Sequence, residues 1–170
     1  KNMKKKSSIR RSLLYVPGDS ERKIEKALTV EADSIILDLE DAVIPEDKEM
    51  ARNIVKKYIQ MFKDSNLEIM VRINDLYTRE GILDLECVIP ETPNAVIIPK
   101  ADEKVMKIAD TLLYSLELRN GNPRDEVELI PLLEPSKSIL DVNEILNASN
   151  RITGVQFGAE DFTKEMEIER

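Results

Sequence analysis

Two carboxylates end the run GVQFGAEDF (154–162), where Glu160 and Asp161 follow two small residues after an apolar stretch. Upstream, ELIPLLEP (128–135) stops in the same way on Glu134. If both runs are neighbouring strands of a parallel sheet, they lie about 4.8 Å apart, so Glu134 and Asp161 at their tops can share one ion. Two carboxylates completed by water and substrate oxygens are a common way to hold Mg²⁺. Histidine is absent and Cys87 is the single cysteine. The donor set therefore suits Mg²⁺, with Mn²⁺ also accommodated, rather than zinc or copper. Two solvated loop acids are the alternative reading of the pair. Arg72 bears on the choice. It sits inside MVRIN (70–74) between apolar neighbours, where an unpaired guanidinium is costly. An anion must meet it, either an internal acid such as Glu40 or Asp41, or a bound carboxylate or enolate oxygen that matches its planar fork. With no histidine, proton transfer falls to carboxylates, Lys, Tyr or metal-activated water.

The elements that must carry these groups alternate along the chain. Apolar, β-branched runs occur at 12–18, 34–43, 68–75, 95–102, 128–135 and 154–161. Their near-continuous hydrophobicity predicts strands buried on both faces. Helical spacing lies between them, at Ile24, Ala27 and Leu28, and from Ala51 through Val55 and Ile59 to Phe62. It returns from Val105 through Ala109 and Leu113 to Leu116, and more irregularly from Ile139 to Leu146. NGNPRDE (120–126) reads as a loop. Strands alternating with helices imply βαβ units and a parallel sheet, either an open doubly wound sheet or a barrel. Neither a G-x-G-x-x-G fingerprint nor a phosphate loop is present. Five successive runs end in polar residues at the same end: Asp38, Glu40 and Asp41, then Arg72, Asn74 and Asp75, then Lys100, Glu134, and Glu160 with Asp161. A shared polar rim favours the TIM (β/α)₈ barrel, whose chemistry sits at the strand carboxyl ends. Such a barrel takes roughly 250 residues and eight units. The 170-residue sequence holds about six, so two units lie outside it or the protein is short.

Composition narrows the classes. With 42% hydrophobic and 34% charged residues, the chain reads as one globular, partial-barrel domain over 1–170. Residues 1–8 read as a disordered or tag-derived start. A net charge of −8 argues against nucleic-acid binding. No run approaches the roughly 20 apolar residues of a membrane span. One cysteine rules out an intrachain disulfide framework and fits a reducing cytoplasm.

Six stretches in order, LLYVPGD, DSIILDLEDAV, VRIN, the Pro99-Lys100 pair, Glu134 and GAED, resemble the group formed by citrate lyase beta subunits, malyl-CoA lyases and HpcH/HpaI-type aldolases. The resemblance spans about residues 10 to 166, and it is specific because the motifs recur together. It implies a TIM barrel and a Mg²⁺-dependent carbon–carbon lyase that cleaves a citryl-CoA or citryl-carrier-protein thioester to oxaloacetate and an acetyl thioester. Malyl-CoA or citramalyl-CoA is the near alternative, and a non-catalytic assembly subunit the alternative of another class. By the same resemblance Arg72 binds substrate, Glu134 binds metal and substrate, and Asp161 completes the metal site. Glu40, Asp41 and Lys100 are then further substrate-side residues. Implied partners are an acyl-CoA or acyl-carrier-protein substrate, citrate lyase alpha and gamma subunits, and further copies in a homo-oligomer, a trimer or hexamer. In relatives the base that takes the hydroxyl proton comes from the C-terminal region. Two departures stand out. Pro135 follows the strand-five acid, and the histidine base of the HpcH/HpaI branch is missing, which favours the citrate lyase branch.

Overall fold

The computed structural model describes residues 9–134 and 136–159. Asp161, Glu160 and Pro135 lie outside them. Six strands form one sheet in sequential order, every neighbouring pair parallel. They are β1 (Leu13–Pro17), β2 (Ser34–Asp38), β3 (Glu68–Arg72), β4 (Ala95–Ile98), β5 (Glu128–Leu133) and β6 (Gln156–Phe157). Helices separate them: α1 (Glu21–Ala27), α2 (Lys48–Phe62), α3 (Arg79–Val88), α4 (Glu103–Asn120), α5 (Ser136–Leu140) and α6 (Val142–Leu146). Sequential order with helical crossovers is barrel topology rather than the reversed order of a doubly wound sheet. The sheet curls far enough for its outer strands to touch, since the Tyr15 hydroxyl on β1 donates to Gln156 Oε1 on β6 at 2.5 Å. Among the described residues no helix is long and apolar enough to cross a membrane.

Alternation of side chains across the pleat makes two cores. Outward residues such as Ile35, Leu37, Val71, Val96 and Leu129 join α2 and α4 in the large sheet–helix core. The helices offer the faces their spacing predicts: Ala51, Val55, Tyr58 and Ile59 on α2, and Val105, Ala109, Leu113 and Leu116 on α4. Inward residues Ile36, Met70, Ala95, Ile97, Ile130 and Leu132 form a separate cluster inside the curl. Burying each large apolar side chain there contributes about 1.5–3 kcal/mol. Below this cluster lies a polar floor, where Arg10 donates to Glu68 (2.7 Å), Glu128 (2.6 Å) and Thr153 (3.0 Å), tying β3, β5 and the approach to β6. Above it, the same inward parity carries Asp38, Arg72 and Glu134 to the carboxyl ends.

Three elements differ from the sequence reading. α3 carries no clear apolar period, because its buried face is Gly81, Asp84, Leu85 and Val88. A glycine and an acid fill two of those four helical positions. The region from Ile139 to Leu146 is two short helices, with Asp141 between them as the N-cap of α6. The sixth strand is two residues long rather than eight.

Candidate active site

The β2–β3 register pairs Asp38 with Arg72. Neighbouring strands therefore present an acid and a guanidinium side by side on the inner face. Arg72 Nε donates to Asp38 Oδ1 at 2.8 Å and Nη2 to Oδ2 at 2.7 Å, a bidentate pair. Asp38, almost wholly buried, also accepts the backbone N–H groups of Glu40 (2.9 Å) and Ala42 (3.1 Å). The remaining nitrogen, Nη1, lies 3.1 Å from Glu40 Oε2, an ion-pair contact without hydrogen-bond geometry, and 3.5 Å from Asp41 Oδ2. The Tyr15 ring covers the guanidinium face at 5.1 Å. Internal acids thus meet Arg72, and Asp38, absent from the motif-based site, is the principal one. Burial pulls the Arg72 pKa down, but Asp38 and Glu40 outweigh it and hold the group above its ordinary value. Burial pushes the Tyr15 hydroxyl up to about 12.

A second layer pins the loop after β2. Lys48 Nζ donates to the carbonyls of Leu39 and Glu40, each at 2.6 Å, and Asn74 Nδ2 donates to Leu39 O at 2.8 Å. Asp84 accepts from the Asn74 backbone N–H (2.8 Å), Asn74 Nδ2 (2.7 Å) and Arg52 Nη1 (3.1 Å). Glu40 sits between this layer and Arg72. Burial raises its carboxyl to about 7; Arg72 opposes the shift, while Asp41, Glu134 and Asp38 add to it.

Glu134, buried directly above β5, accepts the Lys100 backbone N–H on Oε2 at 2.7 Å. The Lys100 ammonium turns away to Asp75 Oδ2 at 3.2 Å. On the other side β6 closes on the acid: Gly158 N–H donates to Leu133 O at 2.8 Å. A Cβ at 158 would lie 2.6 Å from Glu134 Cγ, so the approach requires glycine. Arg72, Asp38, Asp41, Tyr15 and Glu134 line one cleft of about 760 Å³. Of the sequence-predicted residues, Arg72, Asp41 and Glu134 converge there, Glu40 lies behind Arg72, and the Lys100 side chain is not part of the lining. Asp161 is the predicted metal ligand outside the described residues. Tyr15 and Lys48 are additions; Asp38 and Asn74, expected only as rim residues, prove to hold Arg72 and the loop after β2, and strand parity relative to Arg72 was the available signal for Asp38.

Among the described residues no group of three or more His, Cys, Asp or Glu could hold a metal ion. The donor chemistry nonetheless fits a hard divalent cation. Asp38, Glu40, Asp41 and Glu134 crowd the rim, and their mutual repulsion adds to the upward shift of Glu40. Oxygen-only donors with surplus negative charge match Mg²⁺.

The family model for HpcH/HpaI aldolase/citrate lyase matches residues 11–170. Citrate lyase subunit beta of Haemophilus influenzae is 32% identical over 164 residues, covering 95% of this chain and 56% of that protein. A (3S)-malyl-CoA thioesterase of Cereibacter sphaeroides is 34% identical over 156 residues, covering 92% and 51%. The chain thus spans about half the length of these relatives. A citrate lyase beta subunit from Mycobacterium tuberculosis, solved with oxaloacetate and magnesium, superposes with a TM-score of 0.71 at 28% identity, covering 95% of this chain and 65% of that one.

Proposed function

The chain belongs to the HpcH/HpaI aldolase/citrate lyase family, and on that premise we propose that it serves a Mg²⁺-dependent carbon–carbon lyase acting on a citryl thioester. One observation carries the reading: the rigidly held guanidinium of Arg72 and the buried carboxylate of Glu134 open on the same cleft. Glu134 and Asp161 would hold the cation. When bound, it would supply Lewis-acid polarisation at the oxygens of the 2-oxo acid.

The chain's own residues do the remaining work. Asp38 occupies the Nε–Nη2 edge of Arg72, so a substrate oxygen is met by the second N–H of Nη2 and by Nη1. Asp41, exposed and only 3.5 Å from Nη1, is the contact that oxygen displaces. Tyr15 and Asp38 keep the guanidinium from following the substrate out. In retro-Claisen cleavage the tertiary hydroxyl proton passes to a base and the carbon–carbon bond breaks. Its electron pair moves to the acetyl thioester carbon, which is then protonated, releasing oxaloacetate. Charge growing on oxygen during bond cleavage is offset by Arg72. The carrier of the acyl group is CoA or a carrier-protein arm. Citrate lyase alpha and gamma subunits and further copies of the chain are the partners this role calls for.

Titration calorimetry of the full chain with Mg²⁺ and oxaloacetate or pyruvate tests the reading. Binding is expected in the wild type and lost in Glu134→Gln and in Asp161→Asn. Unchanged binding in both variants would falsify it. Similarity to the (3S)-malyl-CoA thioesterase supports a second reading, a malyl-CoA or citramalyl-CoA substrate. Turnover of citryl-CoA against malyl-CoA under the same conditions separates the two.

A further inference from the structure

Three non-glycine residues among those described have positive φ: Thr92, Lys100 and Asp125. Thr92 ends the 3₁₀ turn Ile89–Glu91, and Asp125 belongs to the loop before β5. Lys100, with φ of 48°, lies above β4 at the rim of the cleft. Side chains avoid this left-handed region, and residues held in it cluster at functional sites.

Contacts on both sides impose the conformation. The Ala101 N–H donates to Leu132 O at 3.2 Å, and Ala101 O accepts the Ser138 hydroxyl at 2.8 Å. Asp102 caps α4 by accepting the Val105 N–H at 2.7 Å. Pro99 precedes, with its φ set by the ring. Between these restraints the peptide N–H of residue 100 points across from β4 to β5 and reaches Glu134 Oε2 at 2.7 Å. That length is characteristic of a charge-assisted bond. The ammonium instead meets Asp75 at a 61% exposed position.

We propose that residue 100 is a positioning residue acting through its main chain: its left-handed conformation aims the N–H at Glu134 and sets the orientation in which that carboxylate faces the cleft. The proposal rests on the reading of Glu134 as a metal ligand. The side chain of residue 100 is then incidental to metal binding, although sequence position alone marks it as the functional group. The same bond restricts Glu134 before any ligand arrives, so metal binding need not order it.

Four forms of the full chain test this: wild type, Lys100→Ala, Glu134→Gln, and an ester variant in which an α-hydroxy acid at position 100 replaces the N–H with oxygen. Mg²⁺ affinity is read by calorimetry and the residue-100 amide by ¹H–¹⁵N NMR. Lys100→Ala is expected to keep the wild-type Kd within about threefold, whereas the ester weakens it about tenfold, as loss of a ligand-orienting hydrogen bond does. The residue-100 amide proton is expected downfield in wild type and in Lys100→Ala, and shifted upfield in Glu134→Gln. Should Lys100→Ala lose Mg²⁺ as fully as Glu134→Gln, or the ester bind like wild type, the proposal is overturned. If wild type binds no Mg²⁺, the metal-ligand reading of Glu134 fails and the amide shift alone decides the positioning. An amide unmoved by Glu134→Gln then refutes it, and an upfield shift upholds the N–H bond to that carboxylate.

Discussion

Arg72 gives its two-pronged edge to Asp38, and removing that acid is therefore costly twice over. Asp38→Ala strips a buried cation of its partner and leaves the N–H groups of Glu40 and Ala42 unpaired. A loss of about 3–5 kcal/mol is expected by urea denaturation, together with loss of oxo-acid binding. Glu40 carries a different signature. Its carboxyl titrates near 7 in the folded chain against an ordinary 4.5, so the native state keeps a proton that the unfolded chain has released. Stability then falls as pH rises from about 4.5 to about 7. Burial is the first cause, with Asp41, Glu134 and Asp38 raising the pKa further and Arg72 lowering it. The ammonium of Lys48 reaches the Glu40 carbonyl from below. In the presence of a chelator, Glu40→Gln should flatten this part of the stability profile; a parallel profile would show that Glu40 does not titrate there.

Among the elements, α3 shows how a helix can be held by polar rather than apolar contacts. Asp84, wholly buried, bonds Asn74 on the strand side and Arg52 on α2. It thereby links α3 to the loop that carries Glu40, through the Asn74 bond to Leu39 O. Asp84→Ala should cost about 3–5 kcal/mol and weaken oxo-acid binding as well, although residue 84 is remote from the cleft lining. Calorimetry at a temperature where the variant remains folded separates the two effects. Helices α2 and α4 were legible in the sequence because their buried stripes are apolar except at one end, at Lys48 of α2 and Glu117 of α4. Helix α3 was not, because Gly81 and Asp84 occupy the stripe. Glycine at 81 and acid at 84 look like surface residues until the partners across the interface are known.

As a whole the molecule is layered along the curl: a charged floor at Arg10, an apolar middle around Met70, and a charged roof at Arg72 and Glu134. Met70→Ala should empty the middle and cost about 2–5 kcal/mol, measured by denaturation. Arg10→Ala should cost about 3 kcal/mol by leaving Glu68 and Glu128 facing each other without their shared cation. The loss from Met70→Ala and Arg10→Ala together should be close to the sum of the two, unless the floor and middle share partners. The roof groups meet because the inward parity of Ile36, Met70 and Leu132 continues two residues further to Asp38, Arg72 and Glu134.

Residue types and their order along the chain determined the parallel alternation, the carboxyl rim and the family. Strands covered on both faces must be apolar throughout, and that constraint is written locally. What the tertiary structure decided was pairing. Asp38, Glu40 and Asp41 are near-equivalent acids along the chain, but the β2–β3 register sets only Asp38 opposite Arg72. Lys100 shows a side chain in the sequence, yet the crossing of two loops brings its N–H, not its ammonium, to Glu134. Partners of this kind are separated by about 34 residues, and no local pattern encodes which atom will arrive.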